Sequence, residues 1–249
     1  MSGKNWHTSL FDELDKYWAE IADARDTSKE TEFIDKVIET KGLLLDLCCG
    51  TGRHSLLLAK RRWNVIGFDI SPNLLRIAKE KMKSGKRAFP LVRGDIRSLP
   101  FQQGTFTAVI SMFTSFGYLI SETEDIKSLK EVARTLKTNG HLLVDIANRE
   151  HMLRVFQKKD WGEFQGFYML EKRTLDAKAS KLHSRWTILD KSDGRTRIFN
   201  HDLRLYTLPQ MQSVLQKAGL EVERTYGDYN QQRFQQDSPR LIILTSKRA

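Results

Sequence analysis

The stretch that decides the fold is Leu43-Leu44-Leu45-Asp46-Leu47-Cys48-Cys49-Gly50-Thr51-Gly52-Arg53-His54-Ser55. Its apolar start has the length of a buried strand, and the residues after Ser55 follow a helical pattern. Gly50 and Gly52 lack a Cβ, so the turn between them can adopt positive φ and let a flat ligand approach its backbone. The helix that follows directs its first N–H groups into the same space. The stretch therefore predicts a strand, a tight turn and a helix that bind a nucleoside-type cofactor.

Two further apolar segments also lead to acidic residues. Val65-Ile66-Gly67-Phe68 ends at Asp69, where α/β cofactor-binding folds place the carboxylate that accepts hydrogen bonds from ribose hydroxyls. Phe89-Pro90-Leu91-Val92-Arg93-Gly94 predicts a third strand, which leads to Asp95. We therefore expect three acids at the carboxyl ends of three strands.

The series Asp46-x-x-x-Gly50-x-Gly52, Asp69 and Gly94-Asp95-Ile96 resembles the motifs of the class I S-adenosylmethionine-dependent methyltransferases, and the likeness covers nearly the whole chain. It implies S-adenosyl-L-methionine as the cofactor and S-adenosyl-L-homocysteine as the product. Asp46 and the glycines would hold the methionine end, Asp69 the ribose and Asp95 the adenine amino group. One departure is Cys48, which stands where the family often has glycine. The expected cofactor-binding residues are Asp46, Cys48, Gly50, Gly52, Asp69, Ile70, Asp95, Ile96 and Met112, with Ile70 and Ile96 on either side of the adenine.

The resemblance implies an α/β fold, a Rossmann-like seven-stranded methyltransferase sheet with helices on both faces. Its last strand would insert antiparallel between its neighbours. The pattern changes to consecutive β-strands after the fifth strand, which predicts a small antiparallel insertion. We therefore expect an N-terminal helical cap over residues 1–40, a cofactor-binding domain over 41–151 and 207–249, and an inserted β subdomain over 152–206.

The N-terminal segment has apolar residues at three- and four-residue spacing, which is typical of an amphipathic helix. Most such stripes pack into a core. A helix before the first strand of this fold can also lie across the cofactor pocket. On that interpretation Tyr17 and Trp18 would cover the methionine end of the cofactor.

The segment Phe113-Thr114-Ser115-Phe116-Gly117-Tyr118-Leu119 follows the predicted fourth strand, at the edge where open α/β sheets bind ligands. Family members that methylate base amino groups typically carry Asn or Asp, Pro-Pro and an aromatic residue here, and this chain does not. The segment resembles instead an uncharacterised branch that acts mainly on small molecules. The expected substrate residues are Phe116, Tyr118, Asn148, Arg149 and Trp186.

The insertion predicts three strands, at Phe167 to Leu175, Leu182 to Leu189 and Arg197 to Tyr206. It leaves the carboxyl end of the fifth strand, so it can form a roof over the active site or a dimer contact.

The reaction would be an in-line displacement of the methyl group by an O, N or C nucleophile of a small molecule. If the acceptor must lose a proton, no spacing singles out the base; the candidates are Tyr118, His183, Tyr206 and Asp145.

Composition narrows the function further. The six histidines form no ligand-spaced cluster, so we expect no metal. The two adjacent cysteines, the absence of a membrane-length apolar run and the polar start favour a cytoplasmic protein. The net charge of +10 suits an acidic small-molecule acceptor or, less well, nucleic acid, because the basic stretch lacks interleaved aromatic residues. A monomer and a homodimer both remain open.

Two alternative functions remain. An RNA or protein methyltransferase would use the basic surface, and only the charge supports it. A nicotinamide-dependent oxidoreductase would need glycines directly after the first strand, whereas Asp46 precedes them and Ser55 occupies the place of the third glycine. The methyltransferase interpretation fits the sequence better than either.

Overall fold

The computed structural model describes residues 6–83 and 88–248, with side chains from Leu10 onward. In chain order the elements are α1 (Trp6–Asp23), α2 (Thr27–Val37), β1 (Leu43–Leu47), α3 (Arg53–Lys60), β2 (Asn64–Asp69), α4 (Pro72–Lys83), β3 (Leu91–Arg93), β4 (Phe106–Ser111), α5 (Glu122–Thr135), β5 (Leu136–Ala147), α6 (Arg149–Arg154), β6 (Lys159–Glu163), β7 (Phe167–Asp176), β8 (Lys181–Asp190), β9 (Thr196–Arg204), α7 (Leu208–Lys217), β10 (Leu220–Tyr226) and β11 (Arg240–Lys247).

A seven-stranded sheet in the order β10-β11-β5-β4-β1-β2-β3 forms the centre of the molecule. The strands from β3 to β5 in this order are parallel. β11 is antiparallel to both of its neighbours, β5 and β10. The predicted Rossmann-like sheet with an inverted last strand is therefore confirmed.

Helices cover both faces of this sheet, each with its own apolar cluster. On one face α5 and α7 contribute Leu129, Val132, Met211 and Val214 to a cluster with the sheet. On the other face α2 and α3 supply residues such as Phe33 and Leu58. The central strands are buried on both faces, which explains why β1 is a nearly continuous apolar run.

Polar caps start several of the helices where the sequence predicts. The backbone N–H of Leu74 donates to Ser71 Oγ at 3.2 Å, and Pro72 is the first residue of α4. Thr207 and Gln210 form a reciprocal capping box at the start of α7. The sequence also predicts that α4 ends at Gly85, a residue that lies outside the described part of the chain. No helix in the described part of the chain is both long and apolar enough to cross a membrane.

The insertion forms a separate antiparallel sheet in the order β6-β7-β8-β9, which we call the insertion sheet. Three of its strands match the sequence prediction within two residues. The fourth, β6, is missing from that prediction because Lys159–Glu163 is mostly exposed and polar, so it has no apolar alternation. One face of the insertion sheet packs against α1, where Leu14 and Tyr17 contact the cluster of Phe167, Ile188 and Phe199.

Strand boundaries differ from the prediction at the cofactor edge. Asp46 is the fourth of the five residues of β1 and so lies inside the strand. β3 spans only Leu91–Arg93, so Asp95 lies in the loop beyond it. At the start of β5, Asn139-Gly140 predicts a turn before the strand, but β5 already begins at Leu136 and includes Asn139, whose φ is 61°.

A buried ion pair joins β5 to the inverted strand β11. Arg240 Nε donates to Asp145 Oδ1 at 2.8 Å, and the Asp145 side chain has no exposed surface. Tyr229 Oη and the backbone N–H of Phe113 donate to the other carboxylate oxygen at 2.6 and 2.9 Å. The pair therefore links the inverted strand to the segment that follows β4.

We expect Arg240→Met to lower the free energy of unfolding by about 3 kcal/mol, because it leaves the Asp145 carboxylate buried without a counter-charge. Urea denaturation measures the change. The matched control is Arg248→Met, which breaks an ion pair to Glu221 in which Arg248 is 75% exposed. The control should change the free energy by no more than about 0.5 kcal/mol. Equal losses in both variants would contradict a special role for the buried pair.

Candidate functional site

A large cavity lies at the carboxyl ends of β1, β2 and β4. Its empty volume, including the open mouth, is about 1070 Å³. Among the expected cofactor and substrate residues, those that line it are Asp46, Cys48, Gly50, Asp69, Ile70, Asp95, Ile96, Met112, Phe116 and Tyr118.

The glycine turn, residues 48–52, gives its two glycines different tasks. Gly50 has a φ of 55°, and a Cβ on it would point toward the cavity, 3.6 Å from the indole nitrogen of Trp18. Gly52 has a φ of 71°, but its Cβ would lie 3.2 Å from Ala78 and 3.3 Å from the ring of Phe89. Gly50 therefore leaves room for a ligand, whereas Gly52 allows the turn to pack against α4. Cys48, the departure from the family pattern, also adopts positive φ, at 60°.

Two buried carboxylates hold this turn in place. Asp46 accepts hydrogen bonds from the Oγ and the backbone N–H of Ser55 at 2.5 and 3.1 Å. Asp69 accepts the backbone N–H groups of Gly50 and Ser71 at 2.8 and 2.9 Å. Burial raises the pKa of both carboxyls, that of Asp69 to about 6, against hydrogen bonds from the backbone that lower it. Asp69 is therefore ionised above about pH 6, when it can accept donors from a ligand.

The third acid, Asp95, lies beside an arginine. Arg97 Nε and Nη2 donate to the two Asp95 oxygens at 3.0 and 2.6 Å, and Arg97 Nη1 donates to Glu124 at 2.6 Å. This pairing fixes the Asp95 carboxylate at the edge of the cavity, next to Ile96. The contact of Asp95 with an adenine amino group stays a prediction.

The start of α3 carries an ionic cluster that the sequence analysis did not single out. Buried Glu30 forms an ion pair with Arg53 and a hydrogen bond with His54 Nε2 at 2.6 Å, and Arg53 Nη1 also donates to Thr27 Oγ1 at 2.9 Å. Burial raises the pKa of Glu30, but the hydrogen bond from His54 and the Arg53 charge together hold it below its usual value. Arg53 and His54 line the cavity. Arg53 and His54 directly follow Gly52, and this position in the sequence is the signal that could have identified them.

Helix α1 covers the cavity, with a kink at Asp15. Phe11 and Trp18 line the cavity, whereas Tyr17 faces the insertion sheet. The Tyr17 hydroxyl donates to Asp190 at 2.5 Å, and its ring meets that of Phe167 edge-on at 5.1 Å. On a helix, adjacent residues point about 100° apart, which is why Trp18 and not Tyr17 takes the covering position.

The segment 113–118 follows β4 in a strained conformation. Phe113 and Thr114 have φ angles of 56° and 60°, which non-glycine residues rarely adopt. The backbone N–H groups of both residues bind Asp145, one through its carboxylate and one through its carbonyl oxygen. The hydrogen bonds therefore hold Phe113 in the cavity wall, where the guanidinium groups of Arg25 and Arg53 lie 4.6 and 5.2 Å from its ring centre.

The other expected substrate residues lie outside the cavity wall. Asn148 is buried, caps α6 and donates to the backbone oxygens of Gln236 and Ser238. Arg149 binds the turn between β7 and β8 through Ser180 and Ala177. In both residues the polar side-chain atoms bind other parts of the protein, so neither side chain faces the cavity.

Trp186 lies behind the wall, on the inner face of the insertion sheet. Its ring stacks on that of Trp18 with centroids 6.3 Å apart and an interplanar angle of 15°. Its indole N–H donates to Glu171 at 2.9 Å. Trp186 therefore supports the residue that covers the cavity.

The candidate bases are widely separated in space. His183 is 46% exposed on the outer face of the insertion sheet, beside Asp202. Tyr206 is buried, and its hydroxyl donates to Asp125 at 2.6 Å. Asp125 itself lines the cavity, and burial raises its pKa to about 6. Only Tyr118 among the candidates Tyr118, His183, Tyr206 and Asp145 lines the cavity.

Among the described residues, no three histidine, cysteine, aspartate or glutamate side chains are close enough to bind a metal ion.

The fold and the cavity define an α/β enzyme with a nucleoside-type cofactor site at the carboxyl edge of its sheet. A family profile described as "Methyltransferase domain" matches residues 44–140. The chain is 26% identical to the putative methyltransferase YqeM of Bacillus subtilis (strain 168), over 87% of this chain and 89% of that protein. It is 28% identical to the glycine/sarcosine N-methyltransferase of Aphanothece halophytica, over 89% and 83% of the two chains.

A solved structure shares the whole fold. An S-adenosylmethionine-dependent methyltransferase from Clostridium acetobutylicum ATCC 824 superimposes with a TM-score of 0.81 at 20% identity, over 98% of this chain and 99% of that one. Residues 44–140 are therefore matched as a methyltransferase domain, and the whole chain has the fold of a class I S-adenosylmethionine-dependent methyltransferase. The matched domain and the relatives make the chain an enzyme of the methyltransferase type.

We expect Gly117→Ala to lower the free energy of unfolding by about 3 kcal/mol. Gly117 has a φ of 105°, and an added Cβ would lie 2.5 Å from the backbone oxygen of Arg204, so the cavity segment and β9 would have to separate. Urea denaturation measures the loss. Gly104→Ala is the control: it has a φ of 67° but nothing within 4 Å of the added Cβ, so it should cost only about 1 kcal/mol. A loss at Gly117 no larger than at Gly104 would refute the close contact.

Proposed function

We propose that this enzyme transfers a methyl group to a small-molecule acceptor that binds in the cavity under α1, and releases S-adenosyl-L-homocysteine. The observation that carries the proposal is the enclosure of the cavity. The glycine turn forms its floor, and five aromatic side chains from two segments form its wall: Phe11, Trp18, Phe113, Phe116 and Tyr118. A wall of this kind excludes water and leaves room for a small acceptor beside the cofactor.

The residues present fit S-adenosylmethionine. Gly50 provides a surface without a Cβ in the cavity wall, and Asp69 is a buried carboxylate that faces the same cavity. We propose that Gly50 receives the methionine end and Asp69 accepts the ribose hydroxyls. Ile70 and Ile96 would lie on either side of the adenine, and Met112 would also contact the cofactor.

When bound, the cofactor supplies a methyl group that its positively charged sulfur has already activated. The chain therefore has to position the acceptor in line with the carbon–sulfur bond and keep water away. In this proposal Trp18 covers the reacting end of the cavity, and the 113–118 segment fixes the acceptor from the opposite side. The ion pair between Asp145 and Arg240 keeps that segment in place from below.

The named relatives support a small acceptor, since one of them is a glycine/sarcosine N-methyltransferase. The basic surface would suit a nucleic acid instead. However, an RNA or protein substrate would have to reach a cavity that α1 covers, so we do not favour it. The oligomeric state, either a monomer or a homodimer formed through the insertion sheet, stays a prediction.

Calorimetric titration with S-adenosylmethionine, S-adenosylhomocysteine and NADH tests the cofactor site. We expect micromolar Kd values for both sulfur nucleosides and no binding of NADH. Asp69→Asn should weaken binding by at least about tenfold, because an amide nitrogen cannot accept the ribose and Gly50 donors. Asp202→Asn, an exposed carboxylate on the insertion sheet, is the control and should bind normally. Folded protein that binds neither sulfur nucleoside would refute the proposed function.

The pKa of Asp69 predicts how this binding depends on pH. Its pKa of about 6 means that the carboxylate becomes protonated as the pH falls from 7 to 5. Affinity for S-adenosylhomocysteine should therefore fall by about tenfold over this range. The Asp69→Asn variant should bind weakly at pH 7 and lose most of the pH dependence. If the variant keeps the full dependence, another cavity acid such as Asp125 is responsible.

A further inference from the structure

Three of the aromatic rings in the cavity wall have a defined mutual arrangement. The ring of Phe11 contacts those of Trp18 and Tyr118, with a centroid distance of 5.5 Å to each. Its plane makes angles of 72° and 74° with theirs, so both contacts are edge-on. All three residues line the cavity. We call this cluster of three rings the aromatic box.

Other contacts fix the walls of this box. Trp186 stacks on Trp18 from the insertion sheet, and the ring of His201 lies 6.1 Å from that of Tyr118. The backbone of the Tyr118 segment is held because Gly117 accepts the backbone N–H of Arg204 at 2.9 Å. The aromatic box is therefore preformed, so a ligand that enters it does not have to order the three rings.

The charge of the cavity favours a cation. Four carboxylates line it, from Asp46, Asp69, Asp95 and Asp125, against a single guanidinium, from Arg53. Arg53 is paired with Glu30, Asp95 with Arg97 and Asp125 with Arg204, so the excess of carboxylates rests on Asp46 and Asp69. The net charge of +10 belongs to the chain as a whole, so the charge of the cavity is opposite to that of the molecule. The acidic acceptor expected from net charge therefore fits the cavity poorly.

Aromatic faces attract positive charge, so a cluster of three rings in the cavity wall favours a cation bound beside it. During methyl transfer to an amine, positive charge moves from the sulfur of the cofactor to the acceptor nitrogen. A group of rings that surrounds that nitrogen stabilises the transition state more than it stabilises the neutral amine. This distinguishes an amine from a hydroxyl acceptor, whose oxygen ends the reaction uncharged.

We propose that Phe11, Trp18 and Tyr118 hold the nitrogen of an amine acceptor, and that this nitrogen receives the methyl group. This inference rests on the proposed function. The amine reacts as the neutral base: its lone pair forms the carbon–nitrogen bond, and the electron pair of the carbon–sulfur bond stays on sulfur. The resulting ammonium then loses a proton to water, unless all its substituents are carbon.

Binding of a simple cation tests the aromatic box without the natural acceptor. The probe is tetramethylammonium, and tert-butanol serves as a neutral molecule of similar size and shape. Both are titrated by proton NMR line broadening into protein saturated with S-adenosylhomocysteine. We expect tetramethylammonium to bind at least about tenfold more tightly than tert-butanol. Equal affinities would overturn the proposal.

Variants of Phe11 assign the binding to the rings. Phe11→Leu removes the aromatic ring at this position and should raise the Kd of tetramethylammonium by about tenfold. Phe11→Tyr retains an aromatic ring and should keep the affinity for tetramethylammonium. Phe164→Leu is the matched control: its ring stacks on Phe167 within the insertion sheet, outside the cavity wall, and the change should alter the Kd by less than about twofold. Loss of binding in Phe11→Tyr as well would show that only the docking of α1 matters, and would overturn the proposal.

The proposed function and the aromatic box can fail separately. The affinity for S-adenosylhomocysteine should be unchanged in Phe11→Leu, which locates the defect at the acceptor. If the chain does not bind S-adenosylhomocysteine, the proposed function fails. Titration of the cofactor-free protein with tetramethylammonium then still decides whether the three rings form a cation site.

Discussion

The carboxylate of Asp145 is the contact on which the cavity depends. It lies at the end of a central strand with no exposed surface, and it neutralises Arg240 from the inverted strand. The same group accepts the N–H of Phe113 and the hydroxyl of Tyr229. A charge buried this deeply is tolerated only because every partner is in place. One side chain therefore joins the topology that distinguishes this sheet to the strained segment that forms the cavity wall.

The covering helix depends on a second set of polar contacts, at both of its sides. Asp12 accepts a hydrogen bond from the hydroxyl of Ser71 at 2.6 Å. The backbone N–H of Ser71 in turn donates to Asp69, the carboxylate that binds the glycine turn. On the other side Asp190, the last residue of β8 in the insertion sheet, accepts hydrogen bonds from Lys16 and Tyr17. α1 is thus held by both the cofactor domain and the inserted sheet. The cap is an integral part of the site, although it precedes the first strand of the fold.

The sequence predicts which residues meet at this edge of the sheet because the edge is local. Asp46 and Asp69 lie within the last two residues of β1 and β2, and the glycines follow β1 within a few residues, so strand order alone brings them together. The acceptor side was harder to predict, since it depends on contacts between distant segments. Tyr17 and Trp18 are adjacent in sequence, and only the docking of α1 decides which one faces the cavity. Asn148, Arg149 and His183 are polar residues near the right strand ends, but other parts of the chain bind them. β6 and α6 are short and polar, so they carry no periodic signal.

The position of α1 in the chain has a consequence for folding. Its side chains bind groups as far as 174 residues away, at the end of β8. During synthesis the helix is made first, yet it has no complete docking surface until most of the insertion sheet has been translated. Its amphipathic face, with Leu10, Leu14 and Tyr17 as its most buried residues, stays uncovered during that interval. Closing such a long loop late in folding is slow compared with the local pairing of the sheet strands. The cavity is therefore among the last parts of the molecule to form, and the nascent chain must protect its apolar first helix until then.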